Sequence, residues 1–228
     1  MRAAMAVGGI EVPRLGEQLG RNRLALSLAT LVALGGVLAA LVLSQLVGVE
    51  PATLTRDIVA VLDTHLYVGM LSTLGIMLWS ATSSLCLVVG AALLRRREAD
   101  DAPIFLLAAG LLSAVLALDD AFLIHERVAP TYLHVPQTGV FLAYAGSVGG
   151  FLLVFLRRIL ASNFLLLGIA LACLGTSMGL DLLLPYSRLE TFIEDCFKFS
   201  GIVFWLTYFA CSARAALGAE RGGVACSR

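Results

Sequence analysis

The stretch LDDAFLIHE, Leu118 to Glu126, places two aspartates, a histidine and a glutamate at the end of an apolar run that begins at Pro103. Carboxylates beside an imidazole can share protons or ligate a cation, so Asp119, Asp120, His125 and Glu126 are the first candidates for chemistry. A second group lies in ETFIEDCFKFSGIVFWLTYF, where Glu190, Glu194, Asp195 and Lys198 are followed by Trp205 and Tyr208. Asp181 completes the set. One lysine does not neutralise five neighbouring acids, namely Asp119, Asp120, Asp181, Glu194 and Asp195. Protonation, water or a bound cation must resolve the surplus.

These residues must be positioned by helices in a membrane. Of the 228 residues, 59% are hydrophobic and 14% charged, against about 25% charged in a soluble domain. A spanning helix needs about 20 mostly apolar residues. Six segments qualify, near 24–47, 67–94, 103–124, 138–156, 163–184 and 190–213. The expected fold is an all-α polytopic bundle of six transmembrane helices, over residues 24–213. It is flanked by an N-terminal segment, 1–23, and a C-terminal tail, 214–228. The apolar stretch after Arg23 exceeds a signal-peptide core and is read as the first span.

Basic residues orient the bundle, because cytoplasmic loops retain them. Twelve fall on one side: Arg2, Arg14, Arg21, Arg23, Arg95, Arg96, Arg97, Arg157, Arg158, Arg214, Arg221 and Arg228. The other side holds Arg56, Arg127 and Arg188. Both termini are therefore expected in the cytoplasm and the acids in the outer leaflet of a bacterial inner membrane. The five cysteines form no C-x-x-C and suggest neither disulfides nor a zinc ribbon.

Helical angles then sort the polar residues. Glu190, Glu194 and Lys198 recur every fourth residue, with Gly201, Trp205 and Tyr208 in the same sector, and Glu194 and Lys198 have the order that favours an ion pair. Asp119 and Glu126, seven apart, fall within about 20° of each other, whereas Asp120 points about 100° from Asp119. Cys173, Ser177 and Asp181 repeat every fourth residue, and His65, Ser72, Trp79 and Cys86 every seventh. Candidate pocket residues are thus His65, Ser72, Trp79, Ser177, Glu190, Trp205 and Tyr208. The pairs Gly146 and Gly150, and Gly175 and Gly179, have the spacing of close helix packing. The polar stretch 51–65 reads as a short helix lying on the membrane surface.

The segments LWSATSSLC, LDDAFLIHE and EDCFKFSGIVFWLTYF together resemble an uncharacterised family of six-helix bacterial membrane proteins. The resemblance covers most of the chain and carries no activity with it. The alkaline ceramidase and progestin-receptor superfamily also combines membrane-embedded Ser, Asp and His. Its zinc-binding histidine pair in a late helix has no counterpart here, where Lys198 and two acids stand.

The leading expectation is an outward-opening acidic site that binds or translocates a proton or small cation. Asp119, Asp120, Asp181, Glu194 and Asp195 supply oxygens, and Lys198 is their counter-ion. The alternative is a metal-dependent lipid hydrolase, in which a divalent metal held by His125, Glu126 and Asp119 activates water. A third reading is an accessory subunit whose polar cluster is structural. Expected partners are the bilayer and either another membrane protein or a second copy, with no nucleic acid.

Overall fold

The computed structural model describes residues 5–7, 10–12, 23–51, 62, 65, 68–95, 101–162, 164–183 and 187–223. The surface helix expected over 51–65 and the final residues 224–228 lie outside them, apart from positions 51, 62 and 65. The chain forms two compact units, 1–68 and 69–228. The first contains a hairpin of β1 (Met5–Val7) and β2 (Ile10–Val12), with Ala6 opposite Glu11, and the helix α1 (Arg23–Val47). Helix α1 covers the first expected span with 25 residues, and Val37–Val47 is its described apolar part.

The second unit is helical. It contains α2 (Met70–Leu94), α3 (Ala102–Phe122), a π-helical segment (Ile124–Leu133), α4 (Gln137–Val154), the short α5 (Leu156–Leu160), α6 (Phe164–Leu183) and α7 (Arg188–Gly223). Among the described residues, α2, α3, α4, α6 and Leu189–Gly218 of α7 are long and apolar enough to cross a membrane. Helices suit these Leu- and Ala-rich runs because every backbone polar group is satisfied within the segment, as an apolar solvent requires. Side chains facing outward are apolar too: Val88 is 69% exposed, Leu153 75% and Leu183 83%. The chain is a membrane protein. Helix α7 continues past residue 213 to Gly223.

Packing is uneven. Helices α2 and α3 pack on one another, α6 packs on α7, and α7 packs on α2. Phe105, Phe151, Phe155, Tyr208 and Phe209 form an aromatic core at one end, with ring centroids 5.0–6.5 Å apart. Close approach depends on glycines other than those expected. A Cβ at Gly110 would lie 2.7 Å from Leu87, and one at Gly201 would lie 2.7 Å from Leu174 and 3.1 Å from the Ala170 carbonyl. Around Gly146, Gly150, Gly175 and Gly179 nothing lies within 4 Å of such an atom, so these pairs do not mark packing within the unit. Helix α4 is the loosest, with Phe151 its one buried residue. It does not pack closely on α6.

Candidate functional site

The end of α3 builds the first part of the site. Leu123 adopts a left-handed conformation (φ 50°), which closes α3 at Phe122 and turns the chain into the π-helical segment. That turn brings His125 back over Asp119. The His125 backbone N–H donates to Asp119 Oδ1 at 2.8 Å, and its Nδ1 lies 2.5 Å from Asp119 Oδ2. Both residues are buried. Burial disfavours the imidazolium, but the hydrogen bond and charge of Asp119 prevail and hold the His125 pKa above its ordinary value.

Because the helix ends at Phe122, Asp119 and Glu126 do not share a helical face as expected. Glu126 is exposed and stands 3.6 Å from His125 Nε2. The two carboxylates flank opposite edges of one imidazole. Among the described residues no group of three or more His, Cys, Asp or Glu is arranged to hold a metal.

Asp120 faces the other way, across the bundle. It accepts from Lys198 Nζ at 2.7 Å and from Trp79 Nε1 at 3.1 Å, tying α3 to α7 and α2. Lys198 therefore pairs with Asp120, not with Glu194 as the spacing on α7 suggests. Geometry explains the choice: Asp120 is nearly buried and its charge is best compensated there, whereas Glu194 has open space before it. Asp195 lies on the far side of Lys198, where Ser72, Asp120 and Lys198 line a second cavity of about 20 Å³, room for one water.

The larger feature is a cavity of about 390 Å³ between α4 and α6, floored by α3 and α7. One end is polar, with Asp119, Asp120, His125, Tyr144, Ser177, Asp181, Glu194 and Lys198 in its wall. The rest is apolar, including Leu116, Val148, Leu152, Leu171 and Leu174, with Trp79 and Trp205 beneath. Trp205 Nε1 donates to Ser113 Oγ at 3.0 Å, and the Trp79 and Trp205 rings meet edge to face at 5.7 Å. Asp181 Oδ2 accepts from Gln137 Nε2 at 2.6 Å, a polar link between α6 and α4. Among the described residues the Glu194 carboxylate has no hydrogen bond or ion pair.

Of the expected site residues, Asp119, Asp120, Asp181, Glu194 and Lys198 meet at one cavity, joined by His125, Trp79, Ser177 and Trp205. Ser72 and Asp195 belong to the small cavity. Three others lie elsewhere. Glu190 caps α7: the Ser187 N–H donates to its Oε2 at 3.1 Å, and the Glu190 N–H donates to Ser187 Oγ at 3.2 Å. Tyr208 is buried in the aromatic core, 3.0 Å from Ser162 Oγ. His65 falls before α2 begins, in the first unit. Phe141 and Tyr144 of α4 are in the cavity wall without having been expected, since nothing in their spacing marks a polar face, and Gln137 joins the site only through its bond to Asp181.

The family described as a domain of unknown function (DUF8692) matches residues 23–212. The chain belongs to that family. No curated protein and no solved structure matches it.

Proposed function

We propose that this member of the DUF8692 family binds a proton or small cation at the acidic end of its cavity. The charge balance of the wall carries the reading. Lys198 matches Asp120 and His125 matches Asp119, which leaves Asp181 with a neutral amide and Glu194 with no partner among the described residues. A charge at the centre of a membrane helix costs about 2.5–3.5 kcal/mol, and less toward the surface, so two carboxylates facing this cavity favour a proton or a cation beside whatever water solvates them. The acids line a cavity, not the outer face of the bundle, which favours a ligand over a pairing surface. For metal-dependent hydrolysis no such observation speaks, since the described residues offer no group of three metal ligands.

The arginine distribution supports the placement: six spans, both termini in the cytoplasm, and the cavity in the outer leaflet of a bacterial inner membrane, open outward. Ligand binding of this kind serves sensing or translocation equally well.

The test is thermal melting of the purified protein across pH and across Na⁺, K⁺, Mg²⁺ and Ca²⁺. The expected result is a saturable shift with at least one of these variables, lost in both Glu194→Gln and Asp181→Asn. An unchanged melting temperature throughout, or a shift that both variants retain, would sink the reading.

A further inference from the structure

The carboxylates occupy one end of a space far larger than a bare ion fills. About 390 Å³ is the size of a small-molecule pocket, which runs to roughly 300–1,000 Å³ and is mostly apolar. A divalent ion such as Ca²⁺ or Mg²⁺ takes about six or more oxygens, and the described residues offer no such group. An ammonium has other needs. It brings three N–H donors and requires only acceptors.

Three acceptors in the wall are not matched by a cation of their own. Asp181 keeps Oδ1 free of the Gln137 amide, and Glu194 stands opposite on α7. The third is Ser177, one turn before Asp181 on α6. It is 5% exposed, yet among the described residues its hydroxyl makes no hydrogen bond. The buried helical hydroxyls of Thr82 and Ser113 return theirs to the carbonyl four residues back, whereas that of Ser83, away from this cavity, makes none among the described residues. A buried polar group left unsatisfied costs about 1–3 kcal/mol, so Ser177 is best explained by a partner that occupies the cavity.

We infer that the cavity takes a hydrophobic organic amine, its ammonium on Ser177, Asp181 and Glu194 and its apolar body on Leu152, Leu171 and Leu174. The inference rests on the cation reading above and narrows its ligand class. Besides its outward opening, the cavity offers sideways entry from the bilayer, because it lies between α4 and α6, which do not pack closely on one another. The ligand carries no phosphate. Both cationic groups of the wall, Lys198 and His125, are already held by Asp120 and Asp119 and leave nothing to receive one.

The protein in phosphatidylcholine nanodiscs is titrated with octylammonium, ethylammonium, octanol, NaCl and MgCl₂, and followed by tryptophan emission and by melting. Octylammonium should bind saturably and at least about tenfold tighter than ethylammonium, a difference of about 1.4 kcal/mol. Octanol should not saturate. Glu194→Gln should weaken octylammonium about tenfold or more, and Ser177→Ala severalfold. Gly175→Leu, whose new side chain enters open space in the wall, should erase the preference for the longer chain. Equal binding of ethyl- and octylammonium, saturation by octanol, indifference to Glu194→Gln, or equal displacement by added phosphatidylethanolamine would each overturn the inference. If the amines fail while pH or inorganic cations still shift the wild type and not Glu194→Gln, only the amine class falls. If nothing shifts the wild type, both readings fall.

Discussion

Two sides of the same cavity treat their charges differently. On the α3 side each acid has its cation, Asp119 with His125 and Asp120 with Lys198, and both aspartates are additionally held by N–H donors. On the side of α6 and the start of α7, Asp181 has one amide and Glu194 nothing among the described residues. Matched charges can be structural, since their removal exposes a partner. Unmatched ones contribute no such bond, so their presence in a membrane protein requires another reason.

The difference can be measured first at its most stable pair. Breaking a buried ion pair leaves an uncompensated charge and costs about 3–5 kcal/mol. Lys198→Met should lower stability by that amount in detergent melting, and adding Asp120→Asn should recover a large part of it. Glu194→Gln should recover little. Equal rescue by the two second changes would mean that Lys198 serves both sides and that the sides are not distinct.

The dyad should show a smaller, pH-dependent effect. Asp119 and Glu126 favour the His125 cation, while burial and Lys198 oppose it, and the balance raises its pKa. Such a group stabilises the fold fully below its unfolded pKa of about 6.5 and loses that contribution as pH rises through the higher folded value. Melting temperature should therefore fall as pH is raised from about 6.5 upward. Asp119→Asn should flatten that fall and cost about 1.5–3 kcal/mol at low pH, as for a hydrogen bond to a charged group. A pH profile unchanged by the substitution would separate His125 from Asp119.

Much of this was legible, and the failures have local causes. Of the six spans expected from apolar runs, five stand among the described residues as helices long and apolar enough to cross, because the bilayer leaves no alternative for the backbone. That Asp119 and Asp120 diverge also follows from about 100° per residue, and the two do reach different partners. The angle from Asp119 to Glu126 failed because it assumed helix beyond Phe122. A left-handed Leu123 has no sequence signature, unlike a glycine in that role. The pairing of Lys198 failed because spacing along α7 reports only local neighbours, while Asp120 arrives by packing. Glu190 is a different case. Ser187 and Glu190 have the S-x-x-E spacing of a capping box, so its structural role was readable.

That capping pair gives a control outside both sides of the cavity. Ser187→Ala should cost about 1 kcal/mol through the lost cap. It should leave the cation and pH responses intact. Loss of those responses in Ser187→Ala would mean that the start of α7 is part of the site after all.

The smallest stability effect should belong to Glu194, and it is the most informative. A structural carboxylate in a membrane helix would be missed when neutralised, as Asp120 should be. Glu194→Gln keeps the shape and removes a charge that no described cation holds, so stability should stay within about 0.5 kcal/mol of wild type, or rise. Its effect should appear only when ligand is present, as a lost shift in melting temperature. Paired melting curves with and without the effective cation measure both quantities in one experiment. A loss of 2 kcal/mol or more without ligand would give Glu194 a structural partner and erase the distinction between the two sides of the cavity.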